Sequence, residues 1–163
     1  MRQGPSTSAY QVALVLLSAR DRTRLELSRL LAARGLPQAE RESALDRLKE
    51  QGYLDDRRFA TVWARGRLRA KPMGPYRLRR ELESKGIEEH LVSEVLREVY
   101  EDGEEAAAAR AMASKVSALR HLPPASRTGR VARFLERRGF SREVIWRLLG
   151  DARQAHGVHE CAG

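Results

Sequence analysis

Gly52-Tyr53-Leu54-Asp55-Asp56-Arg57-Arg58-Phe59-Ala60 opens the stretch that decides the fold, and Gly74-Pro75-Tyr76-Arg77-Leu78-Arg79-Arg80-Glu81-Leu82, then Lys85-Gly86-Ile87, closes it. Between them run Arg65, Arg67, Arg69 and Lys71. The order is helix end, turn, basic helix, Gly-Pro break, second basic helix, glycine stop. Asp55 or Asp56 suits the cap of the first helix, where a carboxylate accepts from unpaired N–H groups and meets the positive end of the dipole. Pro75 suits the first turn of the second helix, and Gly86 the left-handed residue past its end.

The flanking sequence repeats this unit. Gly35, Gly86 and Gly139 align, with Leu31, Leu82 and Leu135 four positions before them and Leu27, Leu78 and Val131 eight before. Arg34, Lys85 and Arg138 immediately precede the glycines, as cations suited to a helix C-terminus. Leu36, Ile87 and Phe140 follow them, and Leu45, Leu96 and Leu149 stand ten positions on. An apolar set recurring in register with a fixed glycine stop predicts tandem units. The expected fold is all-α: three tandem three-helix repeats, about nine helices, in an elongated, curved array. The expected boundaries are a flexible arm over 1–8, repeats over 9–54, 55–102 and 103–150, and a disordered tail over 151–163.

Local signals place the remaining helices. Ser6, Thr7 or Ser8 caps a first helix whose apolar face is Tyr10, Ala13, Leu14 and Leu17. Thr23-Arg24-Leu25-Glu26 fits a capping box. Pro37 restarts the chain after Gly35, and Ser141 can cap the last helix. Tyr53 is expected to pack at the junction of the first two units, and Trp63 to lie in the core.

The net charge of +9 favours polyanionic partners. Charge is also segregated. Residues 57–85 hold ten cations against Glu81 and Glu83, whereas residues 86–105 hold eight carboxylates against Arg97. Residues 106–163 are again basic, with eleven cations against four carboxylates. Aromatic residues make up only 6% of the chain, which argues against an extended base-stacking platform. A single cysteine, Cys161, excludes an internal disulfide and fits a reducing compartment, so a cytoplasmic location is expected. The apolar run Ala13–Leu17 is too short for a secretory signal, and no stretch approaches the roughly 18 apolar residues of a membrane span.

The central stretch resembles the middle repeat of the RecX family, bacterial modulators of the RecA recombinase. The likeness rests on Gly52 to Ala60, Gly74 to Leu82 and Lys85 to Ile87, and extends more loosely from about Tyr10 to Gly150. It implies three tandem three-helix repeats and a non-enzymatic regulator. Such a protein binds the RecA–DNA filament and restrains its ATP hydrolysis, strand exchange and coprotease activity in recombination, DNA repair and the SOS response. The third unit matches this pattern more weakly.

No chemistry-bearing motif points to an enzyme. There is no Gly-rich phosphate loop ending in Lys-Ser or Lys-Thr. His156, His159 and Cys161 could hold a metal, but they read as a tail without periodicity, so neither metal nor cofactor is expected. Arg57, Arg58, Arg65, Arg67, Arg69, Lys71, Arg77, Arg79, Arg80 and Lys85 are the partner- or DNA-binding candidates. Arginine suits such a face because it stays charged and grips phosphate or carboxylate in two-pronged fashion. Gly52, Tyr53, Leu54, Asp55, Asp56, Phe59, Gly74, Pro75, Leu82, Gly86 and Ile87 are expected to serve geometry instead. The expected partners are the RecA filament and, with weak, salt-sensitive and non-specific binding, single- and double-stranded DNA. A monomer without membrane contact is expected. The alternatives are a plain DNA-binding module of helix-turn-helix type and a scaffold for an acidic protein.

Overall fold

Three helix ends carry the same hydrogen bonds, and they are the ends the repeat predicts. The amides of Leu36, Ile87 and Phe140 donate to the carbonyls of Leu31, Leu82 and Leu135 at 3.3, 3.3 and 3.2 Å. Between each pair lies a glycine at positive φ: Gly35 at 75°, Gly86 at 78° and Gly139 at 79°. This is the Schellman stop, in which a left-handed residue turns the chain so that otherwise unpaired carbonyls are satisfied.

The computed structural model describes residues 8–157, with the backbone alone at 124–125 and 152–157. Among the described residues there are nine helices and no strand. They are α1 (Ala9–Ala19), α2 (Arg24–Ala32), α3 (Gln38–Glu50), α4 (Asp56–Ala70), α5 (Pro75–Ser84), α6 (Glu89–Val99), α7 (Glu104–Ala118), α8 (Pro124–Arg137) and α9 (Arg142–Gly157). None of the helices in this range is long and apolar enough to cross a membrane.

Caps explain several of the starts. Ser8 and Gln11 form a complete capping box at α1. At α2 the expected box is half realised. Thr23 accepts from the amide of Glu26 at 3.1 Å. The Glu26 carboxylate turns instead to Arg20 at 3.0 Å and Lys85 at 3.4 Å, because two cations outcompete one backbone amide. Ser141 accepts from the amide of Val144 at 3.4 Å and so caps α9. That helix runs past Gly150 to Gly157, where the sequence pattern suggested a disordered tail. Gly150 has no positive φ, and the Ala, Arg and Gln that follow it favour helix. The arm over residues 1–7, and His159 and Cys161 of the tail, lie outside the described residues.

The chain divides into two compact units, Met1–Trp63 with Leu82–Val92, and Ala64–Glu81 with Ser93–Gly163. In the first, Ala13, Leu27, Leu31, Leu45, Leu48 and Leu54 form the buried core. Gly86 packs there so closely that a Cβ would meet Leu25 at 2.4 Å. In the second unit, the alanines of α7, Ala107, Ala108 and Ala111, pack with Val131, Leu135, Phe140, Val144 and Ile145. The Tyr100 hydroxyl donates to the carbonyl of Met73 at 2.7 Å. Leu78, Leu82 and Ile87, from the predicted repeat, are all buried.

Candidate functional site

The two aspartates of the central motif have different tasks. Asp55 caps α4, accepting from the amide of Arg58 at 2.8 Å. Asp56 accepts instead from the amide of Arg24 at the start of α2, at 2.9 Å. Burial raises the Asp56 carboxyl above its ordinary range, against the opposing pull of the Arg24 amide and charge. Tyr53 does not pack as expected: it is 56% exposed, and it is the next residue, Leu54, that enters the core. Trp63 is half-buried.

Of the predicted cations, Arg57, Arg58 and Lys85 belong to the first unit. Arg57 is exposed. Arg58 comes within 3.8 Å of Asp21, a loose exposed pair. Lys85 pairs with Glu26 and stands 5.6 and 5.1 Å from the ring centres of Phe59 and Trp63, within cation–π range. Its carbonyl accepts from the buried Thr23 hydroxyl at 2.8 Å. Lys85 is therefore bound into its own unit.

The second unit holds the other seven. Glu81 receives both Arg67, at 3.0 Å, and Arg77, at 3.0 Å. Arg65 pairs with Glu98 at 2.9 Å. Arg69 is exposed on an open depression of about 490 Å³ whose wall includes Glu101, Asp102 and Arg110, so its surroundings are of mixed charge. Arg79 makes a long contact of 3.5 Å with the Ser93 hydroxyl. Lys71 and Arg80 are exposed and form no ion pair among the described residues. The basic stretch is thus partly self-neutralised, while Arg57, Arg58, Arg69, Lys71 and Arg80 are exposed.

Gly74 places the α5 start against the α8 end. Its amide donates to the carbonyl of Arg138 at 2.8 Å. The Arg138 guanidinium donates to the carbonyl of Pro72 at 2.7 Å. Burial, and secondarily the charge of Arg77, lower the Arg138 pKa from its ordinary value. This junction brings Arg77 and Arg138 together. On α8 itself, Arg130, Arg133 and Arg137 are exposed, a feature the site assignment from sequence omitted. Their spacing of three and four was the available signal.

Comparisons with known proteins follow the same order of units. Models described as the first, second and third three-helix domains of RecX match residues 9–48, 55–96 and 103–149. The chain belongs to the RecX family. It is 39% identical over 139 residues to the regulatory protein RecX of Pseudomonas entomophila, covering 85% of this chain and 88% of that one. To that of Streptomyces coelicolor it is 31% identical over 153 residues, covering 94% and 81%. A crystal structure of regulatory protein RecX matches with a TM-score of 0.77 at 26% identity, over 88% of this chain and 71% of that one. The crystal structure of RecX from Lactobacillus salivarius matches with a TM-score of 0.79 over 88% of this chain and 93% of that one. At 19% identity, that last likeness concerns the fold alone. The relatives it matches are named regulatory proteins, and a regulatory role is what the chain shares with them.

Proposed function

We propose that this protein binds the RecA recombinase on DNA and lowers its ATPase, strand-exchange and coprotease activities. The observation that carries the reading is the family match in all three domains, in order, with no domain missing. Contact through Lys71, Arg79 and Arg80 fits it physically. These side chains stand on or beside α5 without an ion pair, ready to meet phosphates or the carboxylates of a protein face. Arg57 and Arg58 supply a second, looser patch at the start of α4. The protein acts as a cytoplasmic monomer whose DNA binding is weak, non-specific and salt-sensitive.

The test is ATP hydrolysis by RecA from the same organism on single-stranded DNA, with this protein titrated in. A fall in rate is expected. Lys71→Glu with Arg80→Glu should raise the amount needed for half inhibition about tenfold, at unchanged melting temperature, since neither side chain supports the fold. Full inhibition by the double variant would remove the assignment to α5. No inhibition by the wild type, with DNA binding intact, would favour the plain DNA-binding module.

A further inference from the structure

From the third domain we infer a further nucleic-acid site, adjoining the central basic stretch at Arg77: Arg130, Arg133 and Arg137 form a phosphate-binding stripe along α8. Seven residues of helix rise about 10 Å, and at 3.6 residues per turn these three positions fall within about 60° of arc. They therefore project in one direction. The buried side of the same helix carries Val131 and Leu135, so the stripe faces away from the core. All three arginines are exposed, and none has an ion pair among the described residues. The single carboxylate of α8, Glu136, pairs with none of them.

The contrast with α4 and α5 decides the assignment. There, Glu81, Glu98 and Glu26 take up Arg67, Arg77, Arg65 and Lys85. On α8 the charge of three exposed guanidiniums has no carboxylate partner among the described residues. At its C-terminal end the stripe meets Arg77, whose guanidinium lies 3.5 Å from the carbonyl of Arg137. Arginine forks match phosphate oxygens, and a row of them about 10 Å long suits successive phosphates of one strand. The aromatic residue of this helix, Phe134, is half-buried and already engaged by Lys115 and Arg138, at 5.3 and 4.7 Å from its ring centre, rather than standing out as a stacking platform. The occupant is therefore a nucleic-acid backbone, read without sequence preference.

The experiment is fluorescence anisotropy of a fluorescein-labelled DNA duplex over a range of KCl concentrations, without recombinase. Its failure and the failure of filament regulation are thereby separate results. The variant is Arg130→Gln, Arg133→Gln and Arg137→Gln together. The control removes equal charge from the first unit by Arg29→Gln, Arg34→Gln and Lys49→Gln, all exposed. Each phosphate contact contributes about 0.9 to the slope of log K against log salt. The α8 variant should lower that slope by about 2 to 3 and weaken binding at least tenfold at low salt. The control should leave the slope near that of wild type. Equal losses in the two variants, or an unchanged slope for the α8 variant, overturn the inference. Should the triple variant unfold, the three single variants carry the test, each expected to lower the slope by about 1 and each contradicting the stripe if it does not.

Discussion

The amide of Gly74 donates to the carbonyl of Arg138 at 2.8 Å, and a Cβ on Gly74 would stand 2.0 Å from the carbonyl oxygen of Gly139. The obstacle is backbone, so it cannot swing aside as a side chain could. Gly74→Ala must separate the α5 start from the α8 end or strain both. The expected cost is about 1–3 kcal/mol, read as a lower urea midpoint at unchanged m. An alanine variant as stable as the parent would mean that this approach does not hold in solution.

Glu81 is the shared counter-ion of Arg67 and Arg77. Glu81→Gln removes the negative charge that both guanidiniums share while keeping the size of the side chain. Because these groups are partly exposed, the stability loss should stay below about 1 kcal/mol. If the protein binds DNA as proposed, affinity should rise and the salt slope should steepen by up to about 1 as the local positive charge grows. Anisotropy titrations of parent and variant measure this directly, and coincident slopes would contradict it.

Tyr100→Phe removes the donor to the Met73 carbonyl. A loss of about 0.5–1.5 kcal/mol is expected at neutral pH. Burial raises the Tyr100 pKa, so the native state holds its phenol proton more tightly than the unfolded chain does. That contribution is complete below the ordinary tyrosine value of about 10 and is lost as pH rises above it. Denaturation followed from pH 8 to 11 should therefore show a steeper alkaline decline in the parent than in the variant.

Asp56 has the opposite look to an ordinary paired carboxylate. Its pKa is raised, chiefly by desolvation. Its contribution to stability is accordingly greatest below the ordinary value of about 4 and declines as pH rises through the folded value. Asp56→Asn keeps an oxygen acceptor for the Arg24 amide and removes the half-buried charge. Urea midpoints should place the variant at or above the parent at pH 7, with that advantage gone near pH 4. A large deficit at pH 7 would show that the charge of Arg24 dominates.

The sequence carried the backbone of this molecule better than its side-chain pairings. Gly35, Gly86 and Gly139 were legible because a left-handed helix stop needs a glycine locally, whatever surrounds it. Leu31, Leu82 and Leu135 were legible through the same register. Asp55 and Asp56 were interchangeable by local rules, and only the approach of the α2 start assigns Asp56 to Arg24. Ten cations in 57–85 looked alike for the same reason. Glu81 is a neighbour of Arg77 along α5, but its hold on Arg67 exists only once α4 and α5 pack. The exposure of Tyr53 and the length of α9 also escaped, because no local signal opposes either outcome.

The first compact unit contains the bond from Thr23 to the Lys85 carbonyl, 62 residues away, and the packing of Gly86 on Leu25. Neither Lys85 nor Gly86 lies within residues 9–48, the span of the first domain. Chimaeras between relatives should obey that fact. A crossover that imports residues 9–48 alone would bring a Thr23 and a Leu25 that face a foreign 85–86 segment. Carrying Leu82–Val92 from the same parent restores both contacts. Coinheritance of the two segments, rather than exchange of whole domains as beads, is the pattern expected of this lineage.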